Sequence, residues 1–365
     1  MDLVPLIDRF GEAGTAAIGG AVLGMLFGFL AQRSGFCTRS AVLQLANGGK
    51  QPAIWLLGFG AAVLGAQALL YAGLIDVAET RFFATAQSLS GTLIGGALFG
   101  VGMVLTRGCA SRLLVLASGG NLHAWFSVAI IAAVAWATLN GVLTPLRDAL
   151  AGLWSTADIG GNALLAHVGL GHAAGLTLGF AVLAVGAFAA IRRHVSPWLA
   201  AGGVAVGAVI PAAWYFSWAL STQVFEPIQV EGISYLRPLA STLDLAVSAG
   251  GEGSLNMDTG LIAGTVFGAF LAALLFGDWK LRGFGEAGAP PAWRYALGSA
   301  LMGFGGVLAG GCTIGAGFTG GSVLAVSSLL ALAAMMVSAA LAHRLIDETG
   351  AAKSVATPAT LSFAG

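Results

Sequence analysis

The 365-residue sequence has few charged residues and very few cysteines. Asp, Glu, Lys and Arg make up only 9% of it, and their formal charges sum to zero. An average soluble domain is about 25% charged, so this composition excludes an ordinary soluble protein. The zero net charge also excludes the basic surface that nucleic-acid binding requires. The three cysteines lie 72 and 203 residues apart, too far for a Cys-x-x-Cys metal or redox motif, and they are too few for a disulfide framework.

Hydrophobic residues and glycine are abundant instead. Hydrophobic residues form 57% of the chain, and the mean hydropathy is +0.88. These values indicate an integral membrane protein, and the 56 glycines favour closely packed or interrupted membrane helices. Four charged residues between Met1 and Gly14 precede the first apolar run, so we expect that run to remain as a span rather than to be cleaved as a signal peptide.

Apolar runs long enough to approach the thickness of a bilayer predict an all-α fold with about nine transmembrane helices. They cover residues 15–32, 53–75, 91–106, 122–143, 163–191, 198–220, 258–277, 295–309 and 322–343. The runs 91–106 and 295–309 are short and rich in glycine, which is typical of helices that break inside the membrane.

The positive charges predict the orientation of the chain, because cytoplasmic loops are enriched in Lys and Arg. With the N-terminus outside, the inner loops would contain twelve of these residues: Arg33, Arg39, Lys50, Arg107, Arg112, Arg192, Arg193, Lys280, Arg282, Arg294, Arg344 and Lys353. The outer loops would contain only Arg9, Arg81, Arg147 and Arg237. We therefore expect an outer N-terminus, a cytoplasmic C-terminus and a mildly acidic outer loop over 222–257, through Glu226, Glu231, Asp244 and Glu252.

An internal repeat links the two short runs. ALFGVGMVLTRGC at 97–109 and ALMGFGGVLAGGC at 300–312 agree at eight of thirteen positions, although the two runs point in opposite directions in this topology. The sequence thus predicts one polytopic domain over 1–365, with a first repeat at 15–143, a connecting helix at 163–191 and an inverted second repeat at 198–343. Secondary transporters often place their substrate site where such paired broken helices meet.

Two Gly-x-x-x-Gly series are explained by helix packing, without a role in a substrate site. Gly20, Gly24 and Gly28, like Gly260, Gly264 and Gly268, are predicted to let helices approach closely.

All three cysteines follow glycine at the end of an apolar segment. Gly35-Phe36 precede Cys37, Gly108 precedes Cys109, and Gly310-Gly311 precede Cys312. After each of the first two comes a segment of about ten helix-forming residues that ends at Gly-Gly, which predicts a helix of only about 15 Å with its N-terminus at the cysteine. The glycine-rich turn after Cys312 offers backbone amides in the same way. A helix N-terminus attracts anions, so the pattern predicts an anion site beside sulfur.

The thiols indicate which anion. A thiol S–H group is a weak hydrogen-bond donor and gains little from a hard oxygen acceptor. A soft, polarizable sulfur atom is a better-matched acceptor for it. The thiols therefore favour an anion with a terminal sulfur atom, such as thiosulfate. A thiolate would repel such an anion, so we expect the cysteines to stay protonated. Arg39, Arg107 and Arg112 lie near these motifs and either assist binding or simply obey the positive-inside bias.

On these cysteine sites, GFCTRS, RGCASR and GGCTIGAG, the chain resembles the YeeE/YedE family of sulfur transport proteins. The resemblance implies an hourglass-shaped inverted-repeat fold in the bacterial inner membrane, with Cys37, Cys109 and Cys312 hydrogen-bonding a thiosulfate ion along a central path. It also implies a TusA-type cytosolic sulfur-carrier protein as a partner of some members, and selenium compounds as the substrate of others.

Other interpretations remain open at this stage. In a membrane thiol enzyme, Cys109 or Cys312 would attack a sulfane sulfur and carry a persulfide. In a structural membrane subunit, the cysteines would have no role. No cofactor or metal is expected, because the G-x-G-x-x-G match at 315–320 has no βαβ context and His167 and His172 do not share a helix face. Acidic residues fall in predicted loops, so no buried carboxylate is expected to couple protons.

Overall fold

The computed structural model describes residues 1–45, 47–225, 228–247, 255–283 and 290–348. These residues form helices and connecting loops, with three isolated β-bridges and no strand. The α-helices are α1 Val4–Ser34, α2 Thr38–Leu43, α3 Gln51–Tyr71, α4 Leu89–Leu105, α5 Ala110–Ser118, α6 Leu122–Asn140, α7 Thr144–Ala151, α8 Leu164–His167, α9 His172–Arg192, α10 Pro197–Ser221, α11 Leu236–Val247, α12 Met257–Leu275, α13 Ala292–Leu308 and α14 Val326–His343. A π-helix covers Thr313–Gly320, and a second one covers Arg344–Glu348.

Within the described ranges, nine helical segments are long and apolar enough to cross a membrane, by length and composition. Each overlaps one predicted span, so the prediction of an all-α multi-pass membrane protein is confirmed. The connecting helix is shorter than predicted, because α9 starts at His172 rather than near 163. Gly169 takes φ +65, which interrupts the helix and separates the short α8 from α9.

The close contact between α1 and α12 explains both Gly-x-x-x-Gly series. A Cβ atom at Gly24 would lie 2.2 Å from the carbonyl oxygen of Leu261, and one at Gly264 would lie 2.0 Å from that of Ala21. Gly20, Gly28, Gly260 and Gly268 face equally close carbonyl oxygens. The predicted packing role is therefore confirmed, because any side chain at these positions would force the two helices apart.

The remaining long helices pack in defined pairs. Helix α4 packs against α13 and α14, α13 also packs against α6, and α3 lies between α9 and α10. Helix α2 contacts α3 and α14, whereas α11 contacts α12 and α6. The centre of this arrangement holds the short segments α2 and α5 and the π-helix 313–320, whose eight residues are all buried.

The short helices differ in how well the sequence predicted them. Helix α5 is nine residues long and ends at Gly119, as the glycine stop predicts. Helix α2 has only six residues and ends at Leu43, so the predicted length of about ten is wrong. The chain turns earlier because the amide of Gly49 bonds the Gln44 carbonyl, which lets α3 begin at Gln51.

The loops predicted to lie outside contain helices that hydropathy did not indicate, namely α7 and α11. In the predicted acidic loop 222–257, the structure places α11 and the N-cap of α12. Glu226 and Glu252 of that loop, and Lys353 of the predicted inner set, lie outside the described residues.

Candidate functional site

Each cysteine is the N-cap residue of a short central helix. Cys37 caps α2, Cys109 caps α5, and Cys312 caps the π-helix 313–320. All three have extended backbone at the cap and are free thiols, only 5%, 2% and 0% exposed. The expectation that a helix N-terminus faces each sulfur therefore agrees with the structure, and the three sulfurs are removed from lipid and bulk solvent.

Tertiary packing brings the first two thiols together. The side chains of Cys37 and Cys109 interact directly, although 72 residues separate them. Cys109 Sγ lies 3.4 Å from Ser111 Oγ and is also close to the hydroxyl of Thr313. That hydroxyl is buried and has no hydrogen-bond partner within the part of the chain that the structure describes. Thr313 directly follows Cys312, so the three cysteine sites meet around Cys109.

Backbone amides surround the sulfur of Cys312. The Gly315 amide donates to Cys312 Sγ at 3.5 Å, and the backbones of Ile314 and Tyr235 also interact with this thiol. Amides that converge in this way form a seat for a negatively charged or polarizable group. The glycine-rich segment after Cys312 thus supplies the amides that the sequence pattern predicted.

Tyr235 is a site residue that sequence reasoning missed. It precedes Leu236, where α11 begins, and its side chain is 0% exposed. Its hydroxyl lies 3.0 Å from Thr265 Oγ1, and it interacts electrostatically with Cys109 and Cys312. The only signal in the sequence is Arg237, which follows Tyr235 by two positions as Arg39 follows Cys37.

An aromatic cluster closes off the side of the path near Cys37. Phe318 of the π-helix makes edge contacts with Phe36, Trp55 and Phe59, with ring centroids 5.2 to 5.5 Å apart. The Trp55 indole donates to the Thr38 hydroxyl at 3.1 Å. Apolar rings lower the local polarity beside Cys37, which strengthens any polar contact that a buried ion makes there.

The structure separates the three candidate arginines. Arg112 donates to the Ala31 carbonyl at 3.2 Å, and its charge acts on Cys37. Arg107 is exposed, has φ +60, and acts with Arg39 on Tyr295 rather than on the adjacent cysteine. Of the three arginines, Arg112 is the one whose charge acts on a cysteine of the site.

An ionic network lies at the end of the site opposite Cys37, next to α11 and the start of α12. Arg237 Nε donates to Asp258 Oδ2 at 2.8 Å, and Arg237 Nη2 forms an ion pair with Glu231. Asp258 is only 8% exposed, so this network holds a buried carboxylate, and Arg237 pairs with it. The hydropathy pattern missed it because Asp258 occupies the first turn of a membrane helix, where Arg237 neutralises it.

Burial sets the ionisation of this network. Desolvation raises the pKa of Glu231 above its ordinary value, and Arg237 opposes that rise. Burial lowers the pKa of Arg237, whereas the carboxylates of Glu231 and Asp258 raise it. The net effect is an increase in this pKa, which keeps the guanidinium charged. Arg81 lies nearby, and burial together with the charge of Arg237 lowers the pKa of Arg81.

Two histidines make contacts outside the cysteine site. His167 Nε2 lies 3.0 Å from the Gly161 carbonyl oxygen, and the buried His123 ring lies 4.7 Å from the Tyr295 ring. No cluster of three or more His, Cys, Asp or Glu residues occurs among the described residues.

Comparison with known proteins finds similar sequences. The profile of the Sulphur transport family matches residues 33–341, which include all three cysteines. A Thiosulfate transporter TsuA of Spirochaeta thermophila is 27% identical over 324 residues, covering 81% of this chain and 88% of the relative. A Thiosulfate transporter TsuA of Escherichia coli is 27% identical over 325 residues, covering 82% of this chain and 86% of the relative.

Proposed function

The chain belongs to the Sulphur transport family, and on that premise we propose that it takes up thiosulfate or a closely related sulfur-containing anion across the bacterial inner membrane. The path would run past Cys312, Cys109 and Cys37. The observation that carries this proposal is the set of three buried thiols, each at the N-terminus of a short helix and joined through Cys109.

The site has two kinds of groups, and thiosulfate has two matching ends. Amides at the helix N-termini stabilise the negative oxygens, because they carry a partial positive charge and lack intrahelical partners. The thiols donate weak hydrogen bonds to the terminal sulfur. Weak bonds at successive sites let an ion enter and leave each of them, as conduction requires. Protonated cysteines serve this role, since a thiolate would repel the ion.

We place the Cys312 end outside and the Cys37 end inside, in line with the positive-inside assignment. The helix pairs support the predicted inverted repeat, because exchanging the two halves converts the α1–α12 contact into the α10–α3 contact. The same exchange converts α4–α14 into α13–α6 and α2–α14 into α11–α6. A TusA-type sulfur-carrier protein is the candidate acceptor on the inner face, which co-purification from cells fed thiosulfate would test.

Cysteine substitution tests the path. Cys109→Ala and Cys312→Ala should each lower thiosulfate uptake into proteoliposomes by at least tenfold, because removing one donor leaves a gap between binding sites. Cys→Ser at the same positions keeps a small donor and should retain a measurable part of the rate. Normal uptake by the alanine variants, with normal amounts of folded protein, contradicts the proposal. Competition by sulfate, sulfite and selenite in the same assay defines the substrate class.

A mass measurement separates transport from thiol chemistry. If a cysteine thiolate attacked the outer sulfur of thiosulfate, that sulfur would move to the cysteine as a persulfide and sulfite would leave. The close Cys37–Cys109 pair is the observation that makes this alternative worth testing. We expect no gain of one sulfur atom in the intact mass after incubation with thiosulfate. A stable gain that is lost in Cys37→Ala or Cys109→Ala would favour the enzyme.

A further inference from the structure

A basic cavity lies beside the Cys37 end of the path. It has a volume of about 330 Å³ and opens where α1, α5 and α12 end and α6 begins. Its polar lining comes from Gln32, Arg112, Asn121, Asp278, Lys280 and Arg282. By the orientation proposed above, this is the cytoplasmic side.

The cavity has an excess of positive charge. Among the described lining residues Asp278 is the only acidic one, and it pairs with Arg33 at 3.6 Å. No salt bridge within the described ranges involves Arg112, Lys280 or Arg282. Three cationic side chains therefore line one concave surface without a carboxylate partner there.

The backbone around the cavity is held in place rather than loose. The Lys280 amide bonds the Gly119 carbonyl at 3.2 Å, and the Arg282 amide bonds the Gly120 carbonyl at 3.0 Å. The Arg282 carbonyl in turn accepts from the Leu122 amide at 3.0 Å. Gly120 has φ +96, and a Cβ atom there would lie 2.6 Å from the Lys280 carbonyl oxygen. The segment after α12 is thus fastened to the end of α5, which positions both basic residues.

Arg112 connects the cavity to the thiols. It lies in the first turn of α5, lines the cavity and acts electrostatically on Cys37. An anion that leaves Cys37 therefore meets the Arg112 guanidinium next. The positive-inside bias explains why basic residues occur on this face, but it does not explain why a residue that lines the cavity, Arg112, also acts on the Cys37 thiol.

We propose that this cavity is the release site for the transported ion, a site for a divalent oxyanion held by Arg112, Lys280 and Arg282. The inference rests on the proposed function and adds the step after Cys37. Three cationic groups match a small dianion, and the remaining volume holds hydration water at about 30 Å³ per molecule. The phosphate of an anionic lipid has related chemistry and is the other possible source of the ligand, since Trp279 and Leu281 of the same segment are exposed.

Lysine protection tests occupancy directly. In the purified full-length protein, thiosulfate should slow amine acetylation of Lys280 several-fold, as read by peptide mass spectrometry. Lys50, which is exposed and does not line the cavity, is the internal control and should react at an unchanged rate. Chloride at equal ionic strength should protect neither lysine. Equal labelling of Lys280 with and without thiosulfate overturns the inference, and so does protection that only anionic lipid nanodiscs provide.

A transport assay gives an independent measure. The quantity to measure is the concentration of thiosulfate inside the proteoliposomes that inhibits uptake. Lys280→Gln and Arg282→Gln should each raise this concentration several-fold, while the KM for external thiosulfate stays unchanged. Arg192→Gln, an exposed arginine at the end of α9, is the matched control and should behave as the wild type. If the wild-type protein does not transport, the proposed function fails. If it transports and the three variants respond equally to internal thiosulfate, only the release site is wrong.

Discussion

At the scale of single residues, each cysteine is both a buried thiol and the N-cap of a short helix. A cysteine is a poor N-cap compared with Ser, Asp or Asn, because its thiol is a weak acceptor. Cys312 accepts a capping bond from the Gly315 amide, and the Cys37 thiol interacts with the Ser40 backbone, whereas Cys109 leaves the first amides of its helix without a side-chain cap. Those amides remain available to an anion, whereas the side chain of a stronger capping residue would occupy them.

The Glu231 carboxyl gives a prediction at this scale. Burial raises the folded-state pKa of Glu231 above the ordinary 4.5. As the pH rises, the folded state therefore still binds a proton that the unfolded chain has already released. Stability from this group is complete below pH 4.5 and decreases as the pH rises through the higher folded-state pKa. The wild type should therefore lose thermal stability relative to Glu231→Gln as the pH rises from about 4.5, measured by melting in detergent. A difference in Tm that does not change with pH contradicts this assignment.

At the scale of helices and their ends, glycine decides which elements can form. The repeat predicts equal roles for Gly108 and Gly311, since each precedes a cysteine, but the backbone differs. Gly311 has φ +153, and a Cβ atom there would lie 2.7 Å from the Ala316 amide nitrogen. A Cβ atom at Gly108 would meet only the end of the Leu113 side chain, at 3.2 Å. The tight backbone expected at both sites is thus confined to the second.

This difference predicts unequal effects of the same substitution. Gly311→Ala should cost about 1–3 kcal/mol of local strain and lower uptake severely, because it distorts the seat of Cys312. Gly108→Ala should keep most of the activity, since its nearest neighbours are side-chain atoms of Leu113 rather than backbone atoms. Uptake rates normalised to folded protein, measured by size-exclusion chromatography, check both variants. Equal activity of the two would show that the left-handed geometry at Gly311 does not matter.

At the scale of the whole molecule, charge and packing act on different features. The twelve-to-four distribution of Lys and Arg predicts the orientation that we propose for the chain in the membrane. The glycine contacts between α1 and α12 bring the first part of the chain against the last third. Basic residues are consequently concentrated at the Cys37 end, while Arg237 at the other end is balanced by Glu231 and Asp258.

Labelling in intact cells tests this orientation. Val142→Cys, in the loop after α6, should react with a membrane-impermeant maleimide in whole cells, because Val142 is 87% exposed on the proposed outer side. Leu45→Cys, at a position 60% exposed on the proposed inner side, should react only after permeabilisation. The unmodified chain, whose three cysteines are buried, provides the background. The opposite labelling pattern would reverse the direction assigned to the path.

Local physics explains what the sequence by itself determined: nine apolar runs, a glycine stop after α5, and the placement of each cysteine before a short helical segment. Hydrophobic length and helix termination depend on neighbouring residues, so a single chain suffices to predict them. Tertiary structure alone decided that Cys37 meets Cys109, that Tyr235 lies against Cys312, and that Asp258 is buried as an ion pair. It also formed the basic cavity, because these groups come from segments far apart in the chain that only the packing of the membrane helices brings within contact distance.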